Sequence, residues 1–494
     1  MQSIPILRTA AGSKLTSLIR LSLHQATVLC GLVLVSGVLA TECWRYLRLD
    51  AYIDHIEGNV VIGGWLLVHG VPLYALQDGI TQFTGVYGPL AYLAMVPGLL
   101  LAGPGVIASK VPGVLALLAA LGLTAFRFRR GPPMAAVQGL FLLVAGFAAV
   151  SPTSFWTRPD PFEALLVAAA LVTAASPICV GICIGLAVNF KIHAFLYFLP
   201  ILMELWWRRG WRAAPPLIAC AAATFLIPFL APGVSLPDYL ATLKQVVGGR
   251  SHTGALLALV SAYSVAFALP VLLPLCARQI PAADRRYGVA TLATLALLAY
   301  PATLSGGGPY QLLPLLPILA EARKRLRPDG IGAEFAVFPL LLFAAATAHV
   351  ALAQMQERQT WHAYADEALA LAREAPPGTV DIGYGDNKRS YDIAELVKTE
   401  LSLHGNPRWV DAQILMELRE IGVDGSRRWV PYLTECRVGR WLMPRGEEPF
   451  AVRSHFYDDG LVFDDAFRAA FTANYHPVAE SAHFTIWECA HDPS

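Results

Sequence analysis

Charge is what this sequence has least of. Lys, Arg, Asp and Glu make up 15% of its 494 residues, and hydrophobic residues make up 55%. A soluble chain carries about 25% charged residues. The shortfall sits in the first two thirds, where apolar runs of about 15 to 22 residues alternate with short polar loops, as a hydrocarbon core of about 30 Å requires. The net charge of +1 gives no reason to expect a nucleic-acid partner. The scarce cations lie in short blocks between apolar runs, so they report topology rather than a phosphate-binding face.

Other signatures are missing too. Arg8, Lys14 and Arg20 precede the apolar run Leu21 to Ala40, which is too long for a signal-peptide core and lacks a small-residue cleavage site after it. It reads as a first span with its N-terminus inside. Six of eight cysteines lie in or beside apolar segments, and Cys179 and Cys183 have no His or carboxylate neighbours in sequence to suggest a metal. Gly383-x-Gly385-Asp386-Asn387 follows a strand-like stretch but lacks the spacing of a dinucleotide fingerprint, so it reads as a tight turn. Charges are nearly absent from the centres of the runs, and no internal repeat is evident. Both weigh against a proton-coupled transporter.

What is present is an all-α polytopic membrane architecture. Candidate spans are 21–41, 106–126, 134–151, 161–176, 178–190, 194–207, 214–231, 255–276, 289–304, 311–321 and 333–353. The run 87–103 decides the parity. If it spans, the basic blocks Arg127–Arg130, Arg208–Arg212, Arg278–Arg286 and Arg323–Arg327 fall outside. If it only dips into the outer leaflet, all fall inside with the N-terminus. Gly88-Pro89 at its start and Gly98, Gly103, Pro104 and Gly105 at its end suit a broken segment. The expectation is therefore about eleven transmembrane helices plus interfacial helices, covering residues 1–353. A small C-terminal α/β soluble domain of residues 354–494 is expected on the outer side, where more charge and shorter apolar runs appear. In it, 379–384 and 483–488 alternate like strands, and 357–374, 391–404 and 410–421 read as helices. Cys436 and Cys489 are its only candidate disulfide.

This topology gathers polar residues from separate segments at one membrane face. In the first outer loop, Asp54 and Glu57 are three apart and share a helix face. A carboxylate there can act as a general base or hold a divalent cation, or be a solvated loop acid. In the second, Arg158-Pro159-Asp160 is followed by Glu163. The acids either cap a helix start or form a second acidic site beside an Arg suited to phosphate. Lys191 and His193 occupy a short connection, where Lys191 either binds a lipid phosphate or snorkels to headgroups. Tyr310 and Gln311 follow Gly306-Gly307-Gly308-Pro309, whose glycines either cradle a phosphate or form a plain turn. Arg250 and His252 are further outer-side candidates.

The order of these parts resembles the C-type glycosyltransferase superfamily of membrane enzymes, in its bacterial protein-mannosyltransferase and aminoarabinose-transferase-like branch. The resemblance spans roughly residues 20 to 353. It rests on Asp54 and Glu57, on Gly70-x-Pro72-Leu73-Tyr74, on Tyr87-Gly88-Pro89-Leu90 opening the dipping segment, and on Arg158-Pro159-Asp160 before a span. It implies a polyprenyl-phosphate-linked sugar donor and transfer on the outer face of a bacterial inner membrane, to a lipid, glycan or protein acceptor in envelope polysaccharide biosynthesis. By the same resemblance Asp54 matches the acceptor base, with Glu57 its rival, and Asp160 the second-loop acid. Arg158, Lys191, Tyr87, His193, Tyr310, Gln311 and Glu163 fall to substrate binding. A divalent cation, Mg or Mn, is the one cofactor it raises. The first loop departs from the family in reading Asp-His-Ile-Glu rather than an adjacent acidic pair. A transporter or flippase for a lipid-linked glycan, or a non-catalytic envelope-assembly subunit, is the alternative.

Overall fold

A computed structural model describes residues 23–74, 87–247, 251–277, 280–327, 334–406, 410–420, 422, 425–454 and 459–490. The N-terminal cations, the end of the first outer loop and Arg250 lie outside these residues.

Each expected span contains helix. Leu23–Arg48, Val106–Phe128, Pro133–Ala149, Asp160–Val172, Pro177–Val188 and Gly254–Ala277 are among them. Among the described residues, five helices are long and apolar enough by length and composition to cross a membrane, beginning at Gln25, Val106, Ile192, Gly254 and Phe335. Proline sets several starts: Pro133 and Pro177 occupy first-turn positions, where the missing N–H costs nothing. Pro177 is preceded by Ser176, whose side chain accepts from the Cys179 N–H.

The run 87–103 is broken, as its glycines suggested, into Pro89–Leu93 and Val96–Ala102. The first outer loop is more ordered than its sequence implied. It contains the apolar helix His55–Val68, half of whose residues are buried.

The 23-residue Val106–Phe128 helix, about 35 Å long at 1.5 Å per residue, separates two polar ends. At its C-terminal end the basic blocks converge. Arg127 and Arg325 both pair with Glu321, at 3.2 and 2.9 Å. Arg325 also reaches Glu204 at 2.9 Å, and Arg208 pairs with the same carboxylate. Arg286, from the remaining block, lies 4.9 Å over the Trp207 ring. The candidate site gathers near the opposite end.

The C-terminal stretch forms a four-stranded sheet. Its strands are β1 (Val380–Ile382), β2 (Arg440–Pro444), β3 (Tyr475–Glu480) and β4 (Phe484–Cys489), in the order β1-β2-β4-β3. β1 and β2 run parallel, with Asp381 opposite Trp441; the other pairs are antiparallel. Trp441, Phe450, Phe463, Phe467 and Phe471 fill its core. Cys436 and Cys489 are bonded, tying the approach to β2 to the end of β4. The composition change at 353/354 falls inside a helix that runs on to Glu357.

This stretch rests on the first outer loop through the helix Lys388–Leu403. Arg358 donates to the Tyr52 carbonyl at 2.6 Å and pairs with Asp392 at 3.3 Å. The His55 and Tyr391 rings lie 5.7 Å apart, and Glu400 accepts the Val106 N–H at 3.2 Å.

Candidate functional site

Four separate segments bring the site together. Asp54 is the N-cap of the His55–Val68 helix, its side chain accepting from Ile56 N–H at 2.9 Å. The reciprocal half of this capping box is Glu57. Glu57 is fully buried. Its Oε1 accepts from the N–H groups of Ile53 and Asp54 at 2.9 and 3.0 Å. Its Oε2 accepts the Thr157 N–H at 2.9 Å and the Tyr46 hydroxyl. The two acids share a helix start but not their surroundings: Glu57 ties the first and second loops together.

Arg158 joins the same two loops from the other side. Its Nη1 lies 3.2 Å from Asp54 Oδ1, and its Nη2 donates to the Tyr87 hydroxyl at 2.9 Å. Its guanidinium lies 4.0 Å over the Trp156 ring and 4.8 Å over Tyr310. Tyr87 is placed by Gly88. A Cβ at Gly88 would lie 2.1 Å from the Asn189 carbonyl oxygen, so only glycine lets this turn press against the 189–191 connection.

That connection carries Lys191. It is neither at the headgroups nor solvated. At 3% exposure it pairs with Asp160, and its Nζ lies 3.8 Å from Glu163. Asp160 and Glu163 open the Asp160–Val172 helix without a side-chain cap bond. Asp160 instead accepts from Trp156 Nε1 at 3.1 Å. Tyr310 closes the group, its ring 5.5 Å from Trp156 and 5.4 Å from Lys191 Nζ. Behind it, His193 Nε2 and Gln311 Oε1 are 3.0 Å apart, and Tyr197 donates to the Gln311 carbonyl at 2.7 Å. In the glycine turn before Tyr310, Gly307 N–H donates to Leu304 O at 2.7 Å. His252 lies away from this group, bonded to Thr303 at 2.9 Å.

The electrostatics divide the loop groups. Burial alone would push the Asp54 carboxyl up. His55, Arg158 and the Ile56 N–H outweigh it and hold Asp54 below the usual carboxylate range. Burial opposes the charge on Lys191 as well, but Asp160 and Glu163 raise it above an ordinary lysine. Burial pushes the Tyr87 hydroxyl up to about 12 although Arg158 and Lys191 pull it down. At neutral pH the site therefore holds an ionised carboxylate, two fixed cations and a neutral phenol.

The two first-loop carboxylates raised as cation ligands are engaged with the protein itself. Among the described residues no group of three His, Cys, Asp or Glu side chains is placed to hold a metal. Asp54 already faces Arg158, and Glu57 has its oxygens occupied.

The sequence missed several supports. Trp156 and Thr157 gave no signal of their own. Lys110 did: it is a lone cation within an apolar run. Its Nζ donates to the carbonyls of Tyr46, Leu49 and Ala51 at 3.1, 2.6 and 2.6 Å. It thereby ends the first helix and fixes the strand of chain leading to Asp54. Arg358 does the same from the C-terminal side and had no signal.

No protein-family model matches the chain, and no curated protein does. Solved structures share its fold, two of them of one protein. One is ArnT from Cupriavidus metallidurans in the apo state, at 12% identity over 92% of this chain and 97% of that chain, with a TM-score of 0.56. The other is the same protein bound to undecaprenyl phosphate, at the same identity and coverage with a TM-score of 0.57. The chain thus has the fold of these ArnT structures.

Proposed function

We propose that this chain is a multi-pass inner-membrane glycosyltransferase that moves a sugar from a polyprenyl-phosphate donor to an acceptor hydroxyl on the outer face. The observation that carries the reading is the placement of Arg158 and Lys191. Both are buried, and both lie against the Tyr310 ring within reach of Tyr87. Two fixed cations in a water-poor site suit a phosphate whose charge grows as its bond to the sugar breaks. The structural likeness to an ArnT bound to undecaprenyl phosphate supports a lipid-linked donor of the same kind.

In this reading the bond from the sugar's anomeric carbon to the phosphate oxygen breaks, and its electron pair stays with the phosphate beside Arg158 and Lys191. The acceptor oxygen bonds to the anomeric carbon, and its proton passes to Asp54. A carboxylate held below its ordinary pKa is a weak base toward a free hydroxyl. It serves when leaving-group departure is advanced and the hydroxyl has become acidic by bonding to the cationic carbon. Asp160 holds Lys191 in place, and His193 and Gln311 fix the segment that carries Tyr310. Glu57 takes a structural role. No step is routed through a cation. Residues 354–494 form the outer domain in this reading, docked against the Asp54 loop.

The reading is tested by incubating purified full-length protein with a panel of radiolabelled polyprenyl-phosphate sugars and membrane-extracted acceptors. Label should move into an acceptor from at least one donor. No transfer from any donor, with K191M still complementing a deletion strain, would move the assignment to a transporter or an assembly subunit.

A further inference from the structure

A cavity of about 140 Å³ opens in the C-terminal region at the carboxyl ends of the parallel strands β1 and β2. One ordered water needs roughly 10–15 Å³ by this measure, so the space is on the scale of one sugar ring. Ligands of open α/β sheets bind outside the carboxyl ends of parallel strands. None of the residues proposed for transfer lines this cavity.

Its walls divide by chemistry. Arg389 and Arg445 both line it, one from the helix Lys388–Leu403 and the other following β2. Arg445 spends Nη1 on the Ser481 carbonyl at 3.0 Å, which fixes its guanidinium and leaves further N–H groups. Glu447 is the acid. Its Oε2 accepts the Asp386 N–H at 3.1 Å. Gly385 makes this possible, since a Cβ there would lie 1.8 Å from that oxygen. The Gly383-x-Gly385 pattern is therefore a device for close approach, of Met443 at Gly383 and of Glu447 at Gly385. The third wall is aromatic. The rings of Tyr364 and His483 lie 4.0 Å apart, with Phe484 edge-on to Tyr364 at 6.2 Å. Glu367 holds His483 Nδ1, which leaves Nε2 for another partner.

We infer that this cavity binds an anionic sugar: the ring lies against the Tyr364–His483 wall, Glu447 accepts from its hydroxyls, and Arg389 and Arg445 hold its phosphate or carboxylate. The site is built into the helix that docks the region. Arg389, Ser390 and Ile393 line the cavity, while Tyr391 and Asp392 of the same helix face His55 and Arg358. The inference stands whether or not the chain transfers sugar.

Equilibrium dialysis of the full-length protein in detergent tests it, with glucose 6-phosphate, glucose and inorganic phosphate as probes. Glucose 6-phosphate should bind saturably, at least tenfold more tightly than either of the others. Binding should weaken tenfold or more in R389Q/R445Q, whose substitutions lie outside the membrane site. Amide exchange of the wild-type backbone over 385–392 should slow on addition of the ligand, a readout that needs no variant. Equal binding of inorganic phosphate, undiminished binding in R389Q/R445Q, no saturable binding, or unchanged exchange would each overturn the inference.

Discussion

Arg158 bridges Asp54 and Tyr87, with 3.2 Å to the carboxylate on one side and 2.9 Å to the phenol on the other. Through it the first outer loop, the broken dipping segment and the loop before the Asp160–Val172 helix become one surface. A guanidinium already committed to two side chains still has N–H groups for a third partner. The site is therefore organised before a ligand arrives.

Lys191 is the cation whose loss should be felt most in stability. Replacing it with Met leaves Asp160 and Glu163 buried beside each other without a counter-charge, which costs about 3–5 kcal/mol. Thermal melts of K191M should show that loss, and K191M/D160N should recover part of it. Donor binding should stay low in both, because the double variant restores charge balance without restoring the cation.

Chelation should have no effect. With Asp54 facing Arg158 and Glu57 occupied, transfer measured after exhaustive EDTA treatment should equal transfer in added Mg or Mn. A drop of tenfold or more, restored by either ion, would contradict the donor set described above.

Much of this arrangement was legible in the sequence. Asp54, Tyr87, Arg158, Asp160, Glu163, Lys191, His193, Tyr310 and Gln311 all fall into one cluster. They were visible because polar residues at the ends of apolar runs are costly and few, and topology then assigns them to one face. The difference between Asp54 and Glu57 was not visible. Spacing shows a shared helix face, but only the fold shows that Glu57 closes a capping box and receives Thr157 and Tyr46. Arg358 was equally silent, since its partner is the backbone carbonyl of Tyr52 some three hundred residues earlier. The glycines at 383 and 385 looked like turn residues because sequence cannot display Met443 and Glu447 pressing on them.

Glu400 gives docking of the C-terminal region a pH dependence. Burial and the nearby Asp50 raise its carboxyl from 4.5 to about 7, although the Val106 N–H pulls it down. A raised carboxylate pKa means that the folded state holds the proton more tightly. Its stabilising contribution is full below about 4.5 and is lost as pH rises through 7. The total is about 2–3 kcal/mol. Melting temperature should fall over that window in the wild type, and that part of the slope should be absent in E400Q.

The Cys436–Cys489 bond closes a separation of 53 residues. Serine at both positions should cost about 2–4 kcal/mol. A membrane-impermeant maleimide applied to the outer side should label these cysteines only after reduction. Labelling confined to the inner side would reverse the topology.

The central claim is that Asp54 takes the acceptor proton while Arg158 and Lys191 hold the departing phosphate. Asn is as good an N-cap as Asp, so D54N preserves the helix start and removes the base. The most direct measurement is single-turnover transfer by D54N beside its affinity for the polyprenyl-phosphate donor. The account predicts a rate reduced about 10²–10⁴-fold, with donor affinity close to wild type and a melting temperature lowered only by the loss of the Arg158 ion pair. Transfer within threefold of wild type would contradict it and leave Asp54 as a helix cap alone.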